Sequence, residues 1–291
     1  MPNMRIITMN ATDIASTVTA DSQLSTSFSV DNVKTDYKST FHRTSGGTPK
    51  IVVYTLTWAS PTAAQSIGGV SLPCTNLSAS ATIRVQLFSD TGLATPIAGG
   101  DTGTIPACAN SQIANLTTST INGNLFQLGV LSKASAWFSS NIANVRGLRI
   151  TVNDTAGNSA GYIDCARIVC GSYWEPTYNA SRDGLGLTIT DTSQNSRTDA
   201  GDLVSDRGFI YDELSLNLEL LSDTDRNNLV QLMRTTGTNR NILVSVFPIN
   251  YSASSNSLTE QYYTVYGKRS NSQFNYIIQG YGNSSMQITG W

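Results

Sequence analysis

The chain carries little charge, a single histidine and no long apolar run. Lys, Arg, Asp and Glu make up 13% of 291 residues, and the formal net charge is −2. A general nucleic-acid binder needs a dense Lys/Arg stripe to displace counterions from phosphates, so this composition excludes that class. Disordered tails are usually charge-rich and poor in hydrophobic residues, whereas hydrophobics here reach 40%, enough for a packed core. No apolar run approaches the roughly 18 residues of a membrane-crossing helix, so no membrane insertion is expected. The opening MPNMRIIT lacks the apolar stretch of a secretory signal. The expectation is a protein that works in the cytosol or leaves the cell by another route.

Catalytic and metal chemistry is equally short of material. The one histidine is His42. A His-based zinc site wants several ligands at defined spacing. A Ser-His-Asp triad would have to use His42, and no Gly-x-Ser-x-Gly elbow accompanies it. Beside Arg43 in a Ser/Thr/Gly-rich stretch, His42 is expected in a surface loop. Cysteines fall at 74, 108, 165 and 170 with no Cys-x-x-Cys, which argues against a zinc ribbon. If 161–170 is one strand, Cys165 and Cys170 lie on opposite faces and cannot pair. Cys74 and Cys108 leave a bridge open, but buried free thiols suit a chain without a secretory signal better. Only four glutamates exist, Glu175, Glu213, Glu219 and Glu260, and Glu219 sits on the solvent side of an alternating run, so a glycosidase carboxylate pair is poorly supplied. Asp-Thr-Gly occurs at Asp90 and Asp101, too close together for the two lobes of an aspartic protease; both read as turns. Gly184 and Gly186 precede a strand rather than a helix, so they form no phosphate loop. No catalytic residue, cofactor, cofactor-binding residue or metal ligand is predicted, and the chain is not expected to be an enzyme.

What is abundant is small and polar: 36 Ser, 35 Thr and 24 Asn, a third of the chain. Most of the sequence alternates with period two between Gly, Asn, Asp and Pro breakers. Val52, Tyr54, Leu56 and Trp58 share one strand face, as do Ile83, Val85 and Leu87, and Leu148, Ile150 and Val152. Gly68-Gly69, Gly99-Gly100 and Asn122-Gly123 read as breaks between strands. Short strands at this spacing predict a sandwich or barrel. The texture changes near residue 172, where SYWEPTYN (172–179) forms an aromatic, proline-bearing connector. Residues 1–172 carry 10 basic and 8 acidic side chains (+2); residues 173–291 carry 8 and 12 (−4). A boundary is placed there. In the second part Leu214, Leu216, Leu218 and Leu220 alternate with polar residues. One helix follows: Ser222 as N-cap with Asp225 three residues on, Leu229, Leu232 and Met233 on one face, and Gly237 as the stop. Strands are expected at 242–247, 262–267, 274–279 and 284–289. One helix packed on antiparallel strands makes this half α+β. The aromatics Tyr173, Trp174 and Tyr178, and Tyr262, Tyr263 and Tyr266, either stack on sugar rings or pack in the core or an interface.

Residues 10–171 resemble the galactose-binding-like jelly rolls. The matching stretches are FSVDNV (28–33), YKST (37–40), the strand ending at Trp58, NLSASATIRVQL (76–87), RITV (149–152) and GYIDCARIVCG (161–171). The resemblance implies a carbohydrate-binding-like β-sandwich, and no ligand residue is carried over. ARIVCGSYWEPTYN (166–179), RTDAGD (197–202), the capped helix and VFP (246–248) are similar to minor tail proteins of long-tailed bacteriophages. The strand-helix-strand order of residues 173–291 resembles the belt, or tail-tube-like, domain of distal tail proteins. Such domains close into homo-oligomeric rings at the baseplate, which implies tail tube, hub and fibre proteins as partners and the virion as location. That family usually puts the belt first; the order here is reversed unless residues 1–9 supply a strand of the second part and the jelly roll is an insertion. The alternative function is a receptor-binding adhesin that reads host surface glycans through the jelly-roll loops.

Overall fold

The computed structural model describes residues 3–46, 50–107, 132–158, 160–206, 208–249, 258–270, 273–278 and 281–291. The chain is mostly β: an antiparallel sandwich and an α+β domain. One sandwich sheet runs Thr17–Ala20, Ile51–Thr57, Gly147–Asn153, Thr82–Phe88, Pro96–Asp101, with Ile105–Pro106 added on Thr82–Phe88. The other runs Val169–Gly171, Gln65–Thr75, Asp164–Cys165, His42–Arg43, with Ser132–Val145 paired to Gln65–Thr75. The inward faces carry the alternation of the sequence. Val52, Tyr54, Leu56, Trp58, Ile83, Val85, Leu87, Leu148, Ile150 and Val152 are all at most 1% exposed and belong to one core. Each such side chain removed from water contributes roughly 1.5–3 kcal/mol.

The α+β domain is one seven-stranded sheet. Its order is Arg5–Ile7, Asn241–Ser245, Thr264–Arg269, Tyr281–Gly290, Ile210–Ser222, Gly186–Asp191, with Gln273–Ile278 paired to Tyr281–Gly290. The N-terminal strand pairs antiparallel with a strand some 240 residues away, Ile6 opposite Val244. The sandwich therefore sits inside the chain of the α+β domain. The Asp223–Thr236 helix buries Leu229 and Met233 in the core of this sheet. Ser222 caps it, its hydroxyl accepting from the Asp225 N–H, and Gly237 at φ 58° ends it. Between Gly186–Asp191 and Ile210–Ser222 the chain extends into a separate hairpin, Gln194–Arg197 with Leu203–Asp206, in which every residue is exposed.

Several expectations need correction. His42 is not in a surface loop: it is fully buried on a strand, its Nδ1 2.9 Å from the Tyr54 hydroxyl and its Nε2 3.0 Å from the Ser22 carbonyl. Burial lowers its pKa. The polar flanks hid a side chain with both ring nitrogens partnered. Residues 161–171 are not one strand but two short ones, Asp164–Cys165 and Val169–Gly171. Gly68-Gly69 breaks nothing; it lies within the 11-residue strand Gln65–Thr75. Gly99-Gly100 likewise lies inside Pro96–Asp101. Leu220 does not join the inward leucines. A bulge between Leu218 and Leu221 turns it out, 49% exposed at φ 57°, and Leu221 is buried in its stead. A second helix, Leu258–Tyr262, accompanies the predicted one. Cys74, Cys165 and Cys170 are buried free thiols, and burial pushes Cys165 and Cys170 up to about 12. Cys108 and Asn122-Gly123 lie outside the described residues.

Candidate functional site at the junction of the two halves

The sandwich and the α+β domain meet along a joint of buried aromatic and charged side chains. Its apolar centre is a cluster of Ile7, Trp137, Val169, Leu243 and Tyr266, with Tyr173 and Trp291 packed on it. Trp137 and Val169 come from the sandwich; Ile7, Leu243, Tyr266 and Trp291 come from the other sheet and its end. Glycines make the close approach feasible. A Cβ on Gly69 would stand 2.4 Å from the Trp137 ring, and one on Gly68 would stand 2.5 Å from Cδ1 of Tyr173. The glycine pair is thus a seat for two aromatic rings on an otherwise regular strand.

Charged groups lock both ends of this seat. At one end Arg5 is 2% exposed, with Nε 3.0 Å from Glu175 Oε2 and Nη1 donating to the Phe138 carbonyl at 3.0 Å. Its guanidinium lies 4.1 Å from the Tyr173 ring centroid. The Trp137 indole N–H donates to Glu260 Oε1 at 2.8 Å. Glu260 is 3% exposed, and burial pushes its carboxyl up to about 7 against the opposing indole hydrogen bond.

At the other end Arg167, 1% exposed, reaches Asp13 Oδ1 at 2.6 Å, Asp36 Oδ1 at 3.1 Å and the Tyr266 hydroxyl at 3.2 Å. Tyr266 donates to Asp36 Oδ1 at 2.5 Å, and the Trp291 indole donates to the Asp36 carbonyl at 2.8 Å. Burial raises the Asp13 pKa against the pull of Arg167, and it raises that of Tyr266. A buried guanidinium without such partners would cost several kcal/mol, about 3–5 when one partner is removed. Beside this knot opens a cleft of about 390 Å³, walled by both halves: Asn10, Asp13 and Gln65 from one, Arg240, Asn241 and Tyr266 from the other.

The predicted site residues scatter around the joint. Tyr173 is part of it, edge-on to Trp137 with centroids 6.0 Å apart. Trp174 exchanges backbone hydrogen bonds with Ile6 at 2.9 and 3.0 Å and packs against the α+β core. Tyr178 is 51% exposed. Ser222 and Asp225 form the helix cap, and Asp225 also accepts from the Thr177 N–H at 3.3 Å, tying the connector to the helix. Arg5, Trp137, Arg167 and Glu260 were not singled out as joint residues from sequence, whereas Tyr266, weighed there between sugar stacking and packing, lies in the joint cluster. Glycines placed inside an alternating strand are the one local signal for them.

No protein-family model matches the chain, and no curated protein matches it either. Among solved structures it is similar to a Ruminococcus gnavus GH29 fucosidase in complex with fucose: 14% identity, TM-score 0.39, over 57% of this chain and 27% of that one. It is also similar to chitosan-binding module 1 of a chitosanase/glucanase from Paenibacillus sp. IK-5: 13% identity, TM-score 0.37, over 56% of this chain and 98% of that one. A selenomethionine-labelled mutant of the same module gives 14% identity and TM-score 0.35 over 57% and 100%.

Proposed function

We propose that this chain is a structural, non-enzymatic component of a long-tailed bacteriophage tail tip. In this reading the α+β domain joins copies of itself into a ring that continues the tail tube, and the sandwich is carried outward toward fibre proteins or host-surface glycans. The observation that carries the reading is the exposed hairpin arm. Around it Ile189 is 68% exposed, Leu203 62%, Val204 48% and Phe209 58%. Large apolar side chains gathered on one exposed arm mark an association surface. The Gly186–Asp191 strand beside it is a sheet edge, so its outer backbone groups supply a second joining surface. An arm that docks on a different patch of the next copy makes a heterologous contact, and such contacts close into rings where the rotation between copies closes. The joint makes the sandwich move with the ring rather than swing on the connector. The net charge of −2 also lets many copies pack with little mutual repulsion.

The test is negative-stain microscopy and mass photometry of the purified full chain, alone and with phage particles. Rings or ring fragments are expected. The double variant Leu203→Asp with Phe209→Ser is expected to abolish them while the thermal unfolding midpoint stays put. A chain that remains monomeric and associates with no particle refutes the proposal.

A further inference from the structure

We infer that the cleft between the two halves is a binding site for a neutral saccharide. The cleft is about 390 Å³, the size of pockets that enclose small molecules and enough for one or two sugar rings. Its charges are matched: Asp13 and Asp36 face Arg167 and Arg240. An anion would find Arg167 already held by both carboxylates, and Arg240 within the field of Asp13. A metal ion would meet the positive charge of Arg167, which both aspartates hold at 2.6 and 3.1 Å. What the wall does supply is a dense mixture of fixed donors and acceptors. Asn241 carries an amide with both functions, and Gln65, whose amide nitrogen donates to the Ala63 carbonyl at 2.6 Å, adds an acceptor oxygen; the Asn10 amide is spent on holding its own loop. Each aspartate spends Oδ1 on Arg167, so each retains a second acceptor oxygen. Sugar hydroxyls donate and accept at once, and planar carboxylates, amides and guanidinium groups meet vicinal pairs of them.

The apolar part of the wall fits as well. Met9 and Ile14 are 54% and 53% exposed and line the same cleft, where the C–H face of a pyranose would cover them. Arg167 and Tyr266 are held rigid by the knot beneath, so the floor is formed before any ligand arrives, which limits the ordering cost of binding. The site lies at the junction, and Tyr178 is not among the residues that line it. It needs both halves in place and is independent of ring formation, because binding is read in whatever assembly state the protein adopts.

The experiment uses the full chain with the methyl glycosides of galactose, glucose and N-acetylglucosamine, followed by saturation-transfer NMR and titration calorimetry. At least one is expected to bind saturably in roughly the millimolar range or tighter. Arg240→Ala and Gln65→Ala should each weaken it about tenfold or more, with the urea midpoint unchanged, and Tyr178→Ala should leave it intact. No saturable binding of any of the three overturns the inference. So does binding that survives both cleft variants, binding lost only in Tyr178→Ala, or saturable binding of inorganic phosphate or calcium at the cleft in place of sugar.

Discussion

Replacing Glu260 with Gln should make the protein more stable at neutral pH and change little in acid. In the unfolded chain the carboxyl titrates near 4.5; in the folded joint burial brings it to about 7. The folded state thus holds the proton more tightly. The stability this lends is fully present below pH 4.5 and is lost as pH rises toward 7. At roughly 1.4 kcal/mol for each tenfold change in proton affinity, the gap corresponds to about 3 kcal/mol. Gln keeps an amide oxygen to accept from the Trp137 indole but cannot ionise. Urea titrations followed by tryptophan fluorescence, repeated across this pH range, should show wild type and Glu260→Gln coinciding below pH 4.5 and diverging by about 3 kcal/mol above 7. Other titrating groups, Asp13 among them, are common to both proteins and cancel in the difference. Two curves that run parallel across the whole range would refute the placement of Glu260 as a buried, proton-holding acceptor.

The glycine seat makes its own prediction. Gly69→Ala puts a methyl 2.4 Å from the Trp137 ring. The ring must shift, at an expected cost of about 1–3 kcal/mol and with an altered near-ultraviolet tryptophan dichroism signal. Gly46→Ala, whose nearest neighbour would be the Gly161 carbonyl oxygen at 3.8 Å, serves as a control expected to be near neutral. Ser222→Ala should cost about 1 kcal/mol by freeing the Asp225 N–H at the helix start, and Ser222→Asn should recover most of it in the same urea assay.

What could be read from the sequence was local. Strands such as Ile51–Thr57 and Thr82–Phe88 were legible because one face meets a core and the other meets water, so alternation records burial directly. The Asp223–Thr236 helix was legible because its cap, apolar face and terminal glycine all lie within one short segment. Leu220 was misplaced because a bulge resets the alternation without any change in residue type.

The joint was illegible for a different reason. Arg5 and Glu175 are 170 residues apart, Trp137 and Glu260 123, Tyr266 and Asp36 230. No periodicity spans such separations. Each partner looks locally like something else: Arg5 like a flank charge, Gly68-Gly69 like a turn, Glu260 like a surface acid. A chain that only tethered its two halves through the connector would not need to bury Arg5 and Arg167 or hold a glutamate near 7. Partners drawn from both bodies, such as Tyr266 for Arg167 and the Phe138 carbonyl for Arg5, offset these costs only while the two are held in one orientation. That orientation is what a cleft walled from both sides requires, and it is also what would let a ring of α+β domains present its sandwiches at a fixed angle.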